Sequence, residues 1–158
     1  MDLQLAGKKV VITGASKGIG FGCAVALAQE GCDLHLVARN ADLLNKSADG
    51  IRRDNPGVNV KVHSFDLSAS ESQAALVEAT GIPDIWINNA GAIPGGNIAD
   101  IDEQTWRNAW DLKVFGYINI CRHVVPAMEL RGSGVLLNVI GAAAVRPQPS
   151  YIAGAVGN

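Results

Sequence analysis

The sequence predicts an α/β fold: a doubly wound parallel sheet with helices on both faces. Three observations predict it. Short apolar runs alternate with helix-length segments five times along the chain, as strands joined by right-handed helical crossovers do. Some runs, DIWIN at Asp84–Asn88 above all, are too apolar to face water, which suits strands covered on both sides. The first run leads straight into a glycine-rich turn that opens a helix, VVITGASKGIG at residues 10–20.

Lys9–Thr13 reads as the first strand. A helix over Gly18–Glu30 follows, with Ile19, Cys23, Ala26 and Leu27 on one inward stripe and Gly31 placed to end it. Leu34–Ala38 is the second strand, and Ala41–Asp54 is a helix that turns Leu43, Leu44 and Ile51 inward. Val58–Ser64 alternates as a third strand, Ala69–Ala79 is helical, and Asp84–Asn88 is the fourth strand. A loop rich in Gly and Pro, Gly91–Asn97, precedes a long helix over roughly Asp102–Leu130, interrupted or bent near Pro126. Gly132-Ser133-Gly134 then turns into a fifth strand, Val135–Val139. No internal repeat and no linker divides the chain, so residues 1–158 are expected to form one domain.

Composition narrows the function classes. At 158 residues and 48% hydrophobic the chain can bury a substantial core. A net charge of −2, with no run of Lys or Arg, argues against a nucleic-acid footprint or a polybasic membrane patch. No apolar run reaches bilayer-spanning length, and Met1-Asp2-Leu3-Gln4 lacks the charged and apolar regions of a signal peptide. A soluble, cytoplasmic protein is expected. Cys23, Cys32 and Cys121 are scattered and read as free thiols in a reducing compartment, and no spacing supports a metal site. His35, His63 and His123 share no spacing, so ligand roles are not expected, while Trp106 and Trp110 sit four apart on the long helix and read as packing.

The glycine turn carries the first chemical signal. Gly14, Gly18 and Gly20 follow a strand and open a helix, so the backbone amides around Ser16, Lys17 and Ile19 can approach a pyrophosphate where the helix N-terminus adds positive charge. An acidic residue at the end of the second strand would hold the ribose hydroxyls of NAD(H) and repel a 2′-phosphate. Ala38 stands there instead, followed by Arg39, and Lys17 adds a second cation. NADP(H) is therefore expected over NAD(H).

Thr13-Gly14-Ala15-Ser16-Lys17-Gly18-Ile19-Gly20, Phe65-Asp66-Leu67 and Asn88-Asn89-Ala90-Gly91 together resemble the short-chain dehydrogenase/reductase family, over essentially the whole chain. The resemblance implies a Rossmann-like sheet in which Asp66, beside Leu67, meets the adenine ring. It also implies that Asn89, Ala90 and Gly91 line the cofactor's ribose and steady the sheet. The implied activity is hydride transfer between nicotinamide and a small-molecule carbonyl or alcohol, by a homo-oligomer whose long helix pairs across a subunit interface. Family members continue past the point where this sequence stops, so the resemblance also implies a C-terminally incomplete sheet.

The family's acid–base group is a tyrosine. A lysine four residues on lowers its pKa from the usual ~10, an upstream serine holds the substrate oxygen, and an asparagine of the long helix completes a proton relay. On that spacing Gly141 stands at the serine position, Gly154 at the tyrosine, Asn158 at the lysine and Lys113 at the asparagine. A register anchored on Tyr151 would instead put Asn138 at the serine and Ala155 at the lysine, but Pro147-Gln148-Pro149 fits the Gly154 register better. Lysine and asparagine have then exchanged places. Tyr151, three residues before Gly154, is the candidate acid–base group, with Lys113 lowering its pKa and Asn158 as the third catalytic candidate; the other reading of Tyr151 is a loop aromatic covering apolar surface. Three functions fit: an NADP(H)-dependent oxidoreductase with a rearranged site, a catalytically silent dinucleotide-binding sensor or subunit, or a scaffold for other chemistry in which Lys113 acts.

Overall fold

Strands β1 (Lys9–Thr13), β2 (Asp33–Ala38), β3 (Val60–Ser64), β4 (Ile85–Asn88) and β5 (Val135–Asn138) form one parallel sheet in the order β3-β2-β1-β4-β5. The computed structural model describes residues 2–158. The strand order reverses between β1 and β4, and in open α/β sheets ligands bind in the crevice outside the carboxyl ends at such a switch point. The expected doubly wound, Rossmann-like sheet is therefore present, with its strands in the expected segments.

Side chains alternate across the strands and divide the core in two. Val10, Ile12, Leu34 and Leu36 pack under helices α1 (Gly18–Gln29) and α2 (Ala41–Asp54), against Ala24, Ala28, Leu44, Ala48 and Ile51. Val11, Val37 and Trp86 pack on the other face, against Leu76 of α3 (Ser70–Thr80) and Ile120, Val124 and Met128 of α5 (Gly116–Arg131). The Asn40 side chain caps α2 by accepting from the Leu43 amide at 2.8 Å. Gly132, at φ +75°, ends α5 in the left-handed conformation that glycine adopts without penalty.

The inward stripe of α1 differs from expectation. Gly20, Ala24 and Ala28 are buried, whereas Ile19 is 64% exposed and Ala26 is exposed. Small residues let α1 approach β1 closely, so the large Ile19 is turned toward the crevice. Leu43 likewise faces outward beside it. The irregularity of the long helix is also not where proline predicts it. Helix α4 (Glu103–Trp110) passes through one π-helical turn, Asp111–Phe115, into α5, which runs on through Pro126. Pro126 and Arg122 are both exposed, so the carbonyl that loses its amide partner faces water and the helix is not forced to stop. Two further elements complete the chain, a short 3₁₀ turn at Ala142–Ala144 and helix α6 (Ile152–Gly157).

The scattered histidines include one pair. His35 on β2 and His63 on β3 stack with centroids 5.0 Å apart, Nδ1 to Nε2 at 3.0 Å. Burial, then the neighbouring His63, hold His35 down to about 4. Among the described residues no helix is long and apolar enough to cross a membrane, and no group of three or more His, Cys, Asp or Glu is placed to hold a metal ion. At the sheet edge β5 leaves Val135 and Leu137 exposed.

One staple joins the two strands that flank the crevice. Fully buried Thr13 accepts the Asn89 and Ala90 amides at 2.9 and 3.0 Å, and the Asn89 side chain donates to the Thr13 and Gly14 carbonyls at 3.0 and 3.2 Å. Thr13→Val keeps the shape and strands both amides. It is expected to destabilise the fold by about 2 kcal/mol in urea denaturation, since an unsatisfied buried donor costs ~1–3 kcal/mol. A change below about 0.5 kcal/mol would mean the staple carries no stability.

Candidate cofactor and catalytic site

A cleft of about 660 Å³ opens at the carboxyl ends of β1, β2 and β4. At one end lie Gly14, Ser16, Lys17, Gly18, Ile19, Ala38 and Arg39, and at the other Lys113, Val139, Gly141, Tyr151 and Asn158. Asn89, Ala90, Gly91 and Leu67 line it between them. The sequence candidates thus come together, with two exceptions on the lining.

Gly20 is the first exception, and its role is steric. A Cβ there would overlap the Gly14 carbonyl, so glycine is what lets α1 close onto the turn. Asp66 is the second. It accepts the Ser68 amide and hydroxyl at 3.1 and 2.8 Å, which holds its carboxyl below the usual range, and it lies just outside the cleft while Phe65 and Leu67 line it.

The glycine turn fits a dinucleotide phosphate. Gly14 and Gly18 have φ of +68° and +59°, and nothing lies within 4 Å of where a Gly18 side chain would be. No side chain caps α1, so its first amides keep their hydrogen-bonding capacity for an anion. Lys17 and Arg39 are exposed, and among the described residues neither is in a salt bridge. Ala38 leaves no carboxylate at the end of β2.

The other end of the cleft is built on three glycines, each filled by a larger neighbour. A Cβ on Gly154 would overlap the ring of Tyr151, so the ring occupies the volume that a side chain at position 154 would need. A Cβ on Gly141 would lie 2.8 Å from Asn158 Nδ2. A Cβ on Gly91 would lie 3.0 Å from Cδ of Lys113. The Tyr151 segment is held from two sides. Gly96, at φ +149°, donates its amide to the Ser150 carbonyl at 2.7 Å and accepts from Ile152 at 3.4 Å, while Trp110 Nε1 donates to the Ala153 carbonyl at 3.2 Å. Trp110, expected only to pack, thereby anchors α6.

Lys113 and Asn158 are positioned differently from a simple exchange. Asn158 accepts the Gly141 amide at 2.9 Å and donates to the Gly154 carbonyl at 2.6 Å, so its amide is engaged by backbone on both sides. Lys113 projects inward from the π turn and is 9% exposed. Its amine donates to the Val139 carbonyl and, at 2.9 Å, to the hydroxyl of Tyr117, with the Tyr117 ring centroid at 4.3 Å. Burial lowers its pKa. Sequence reasoning missed Tyr117, although its spacing of four from Lys113 on a helix was a usable signal. Burial raises the pKa of Tyr117 far above the usual value, and the residue does not line the cleft. It therefore holds Lys113 and does not reach the reacting space.

Residues 8–154 match the short chain dehydrogenase family. The chain is similar to an uncharacterized oxidoreductase of Bacillus subtilis (strain 168), 31% identical over 155 residues, covering 96% of this chain and 58% of that protein. In fold it is similar to L-sorbose reductase from Gluconobacter frateurii complexed with NADPH and L-sorbose, with a TM-score of 0.92 and 34% identity over 99% of this chain and 61% of that one. A short-chain dehydrogenase from Sphingobium yanoikuyae in complex with NADPH gives 0.87 and 29%, over 95% and 60%. The chain thus spans about 60% of the length of these relatives.

The Tyr151 ring and Gly154 make a direct prediction. Alanine is favoured over glycine inside a helix by ~1 kcal/mol, yet Gly154→Ala is expected to destabilise by about 2 kcal/mol, as overpacking does. With Tyr151→Ala already present, the same change should cost less than about 0.5 kcal/mol. Equal costs in the two backgrounds, measured by urea denaturation, would show that the ring does not occupy that volume.

Proposed function

The chain belongs to the short-chain dehydrogenase family, and on that premise we propose that it binds NADP(H) and transfers hydride between the nicotinamide and a carbonyl or alcohol substrate, with Tyr151 as its proton-transferring group. The observation that carries this reading is the overlap of the Tyr151 ring with the side-chain space of Gly154. If the family's tyrosine position falls at Gly154, the Tyr151 ring, three residues upstream, supports this reading by taking the space of a side chain there.

Bound NADP(H) supplies the hydride carrier. The α1 amides, with Lys17 and Arg39, hold its phosphates, and Arg39 beside Ala38 favours a 2′-phosphate over a free ribose. NADPH is also the ligand named for the Gluconobacter and Sphingobium enzymes. In reduction the Tyr151 hydroxyl gives its proton to the carbonyl oxygen as hydride reaches the carbon, and in oxidation it takes the proton back. Asn158 acts as a strut, fixing Gly141 and Gly154 so that the Tyr151 ring keeps its seat. Gly141 stands at the serine position of the preferred register, so Tyr151 is the donor left to the substrate oxygen.

Two measurements test this reading. Arg39→Ala should weaken NADPH binding roughly tenfold, the size of one charged hydrogen bond, while leaving NADH binding unchanged; equal losses for both would remove the 2′-phosphate preference. Tyr151→Phe should lower turnover on a responsive carbonyl by ~10²–10⁴-fold with NADPH affinity retained. Unchanged turnover would remove Tyr151 from the chemistry, and tight NADPH binding with no turnover across a carbonyl and alcohol panel would favour the silent dinucleotide-binding reading.

A further inference from the structure

The charges along the cleft are one-sided. Lys17, Arg39 and Lys113 line it, and no Asp or Glu does. Lys17 and Arg39 sit at the glycine turn, where a phosphate accounts for them. Lys113 stands alone at the opposite end, beside Tyr151 and Gly141. Its contacts are neutral: the Val139 carbonyl and the hydroxyl and ring of Tyr117. Among the described residues it has no salt bridge. Asp111, two residues away, faces the neighbouring cleft formed with Thr105 and Asn108, as an i, i+2 spacing requires.

A buried ammonium without a counter-ion is costly, and an anion placed beside it removes the penalty. An ammonium has three donors, and two are engaged. The third is not used in either of these contacts. Gly91 makes room for the Lys113 stem on the cleft wall, where a Cβ would lie 3.0 Å from Lys113 Cδ and 3.8 Å from Nζ. Asn158 accepts the Gly141 amide and gives one of its two N–H groups to the Gly154 carbonyl, so Lys113 is the charged side chain lining this end of the cleft, beside the polar Tyr151 and Asn158.

We infer that Lys113 is an anion-binding group that selects carbonyl substrates bearing a carboxylate, with the carboxylate on its ammonium and the carbonyl oxygen toward Tyr151. The assignment of a substrate rests on the oxidoreductase reading; the existence of an anion site at Lys113 does not. The test keeps the two apart by removing the phosphate cations. In a Lys17→Ala/Arg39→Ala background, oxalate serves as the dicarboxylate probe and oxamide as its neutral counterpart, titrated calorimetrically. Oxalate is expected to bind at least tenfold more tightly than oxamide, and adding Lys113→Met should abolish the difference. A second measurement covers a variant that fails to fold. With ¹³C-labelled lysine in the wild-type protein, the Lys113 Cε resonance should shift on titration with oxalate and stay still with oxamide. Equal affinity for the two probes, oxalate binding that survives Lys113→Met, or a Lys113 resonance indifferent to oxalate would each overturn the anion site. If the anion site holds while NADPH does not bind, the oxidoreductase reading fails and the anion site stands.

Discussion

The contact on which the Tyr151 end of the cleft depends is that of the Tyr151 ring with Gly154. Everything near it is arranged to keep the ring there. Gly96 bonds the segment before it and Trp110 the helix after it. Asn158 ties Gly154 to Gly141 across the space between the 3₁₀ turn and α6. Each glycine of this wall is matched to one larger residue, Gly154 to Tyr151, Gly141 to Asn158 and Gly91 to Lys113. Each of these larger side chains occupies space that a side chain at its glycine would need.

The glycine-turn half of the cleft was largely legible in the sequence as geometry because its requirements are local. A turn with two positive φ values and a close helix approach demands Gly14, Gly18 and Gly20, and the strand before it and helix after it are visible as periodicity. Ile19 is placed by its sequence both at the turn and on the inward stripe, and only the turn holds: apolarity and helical spacing predict a core stripe, but the cleft also takes apolar side chains. The π turn at Asp111–Phe115 has no sequence marker comparable to Pro126, which drew the prediction away from it. Contacts set by tertiary placement were out of reach. The His35–His63 pair needs the β2–β3 register, and the Gly96–Ser150 bond joins segments far apart in sequence. Tyr117 was within reach, since a lysine and tyrosine four apart on one helix meet by geometry alone.

Electrostatics give the cleft its direction. Two exposed cations stand at the glycine turn beside uncapped amides, and a third, buried, lies at the far end among neutral partners. No carboxylate lines the cleft, and Asp66 just outside it is close enough to feel the charge of Arg39. Burial at Lys113 leaves fewer waters to screen its charge, and the same burial lowers its pKa.

The most direct test of the account is a crystal structure of the protein with NADPH and an unreactive substrate analogue. The account predicts the Tyr151 hydroxyl within about 3 Å of the analogue's carbonyl oxygen, above the nicotinamide, with its ring still seated on Gly154. A Tyr151 turned away from the nicotinamide, with water filling the space over Gly154, would contradict it.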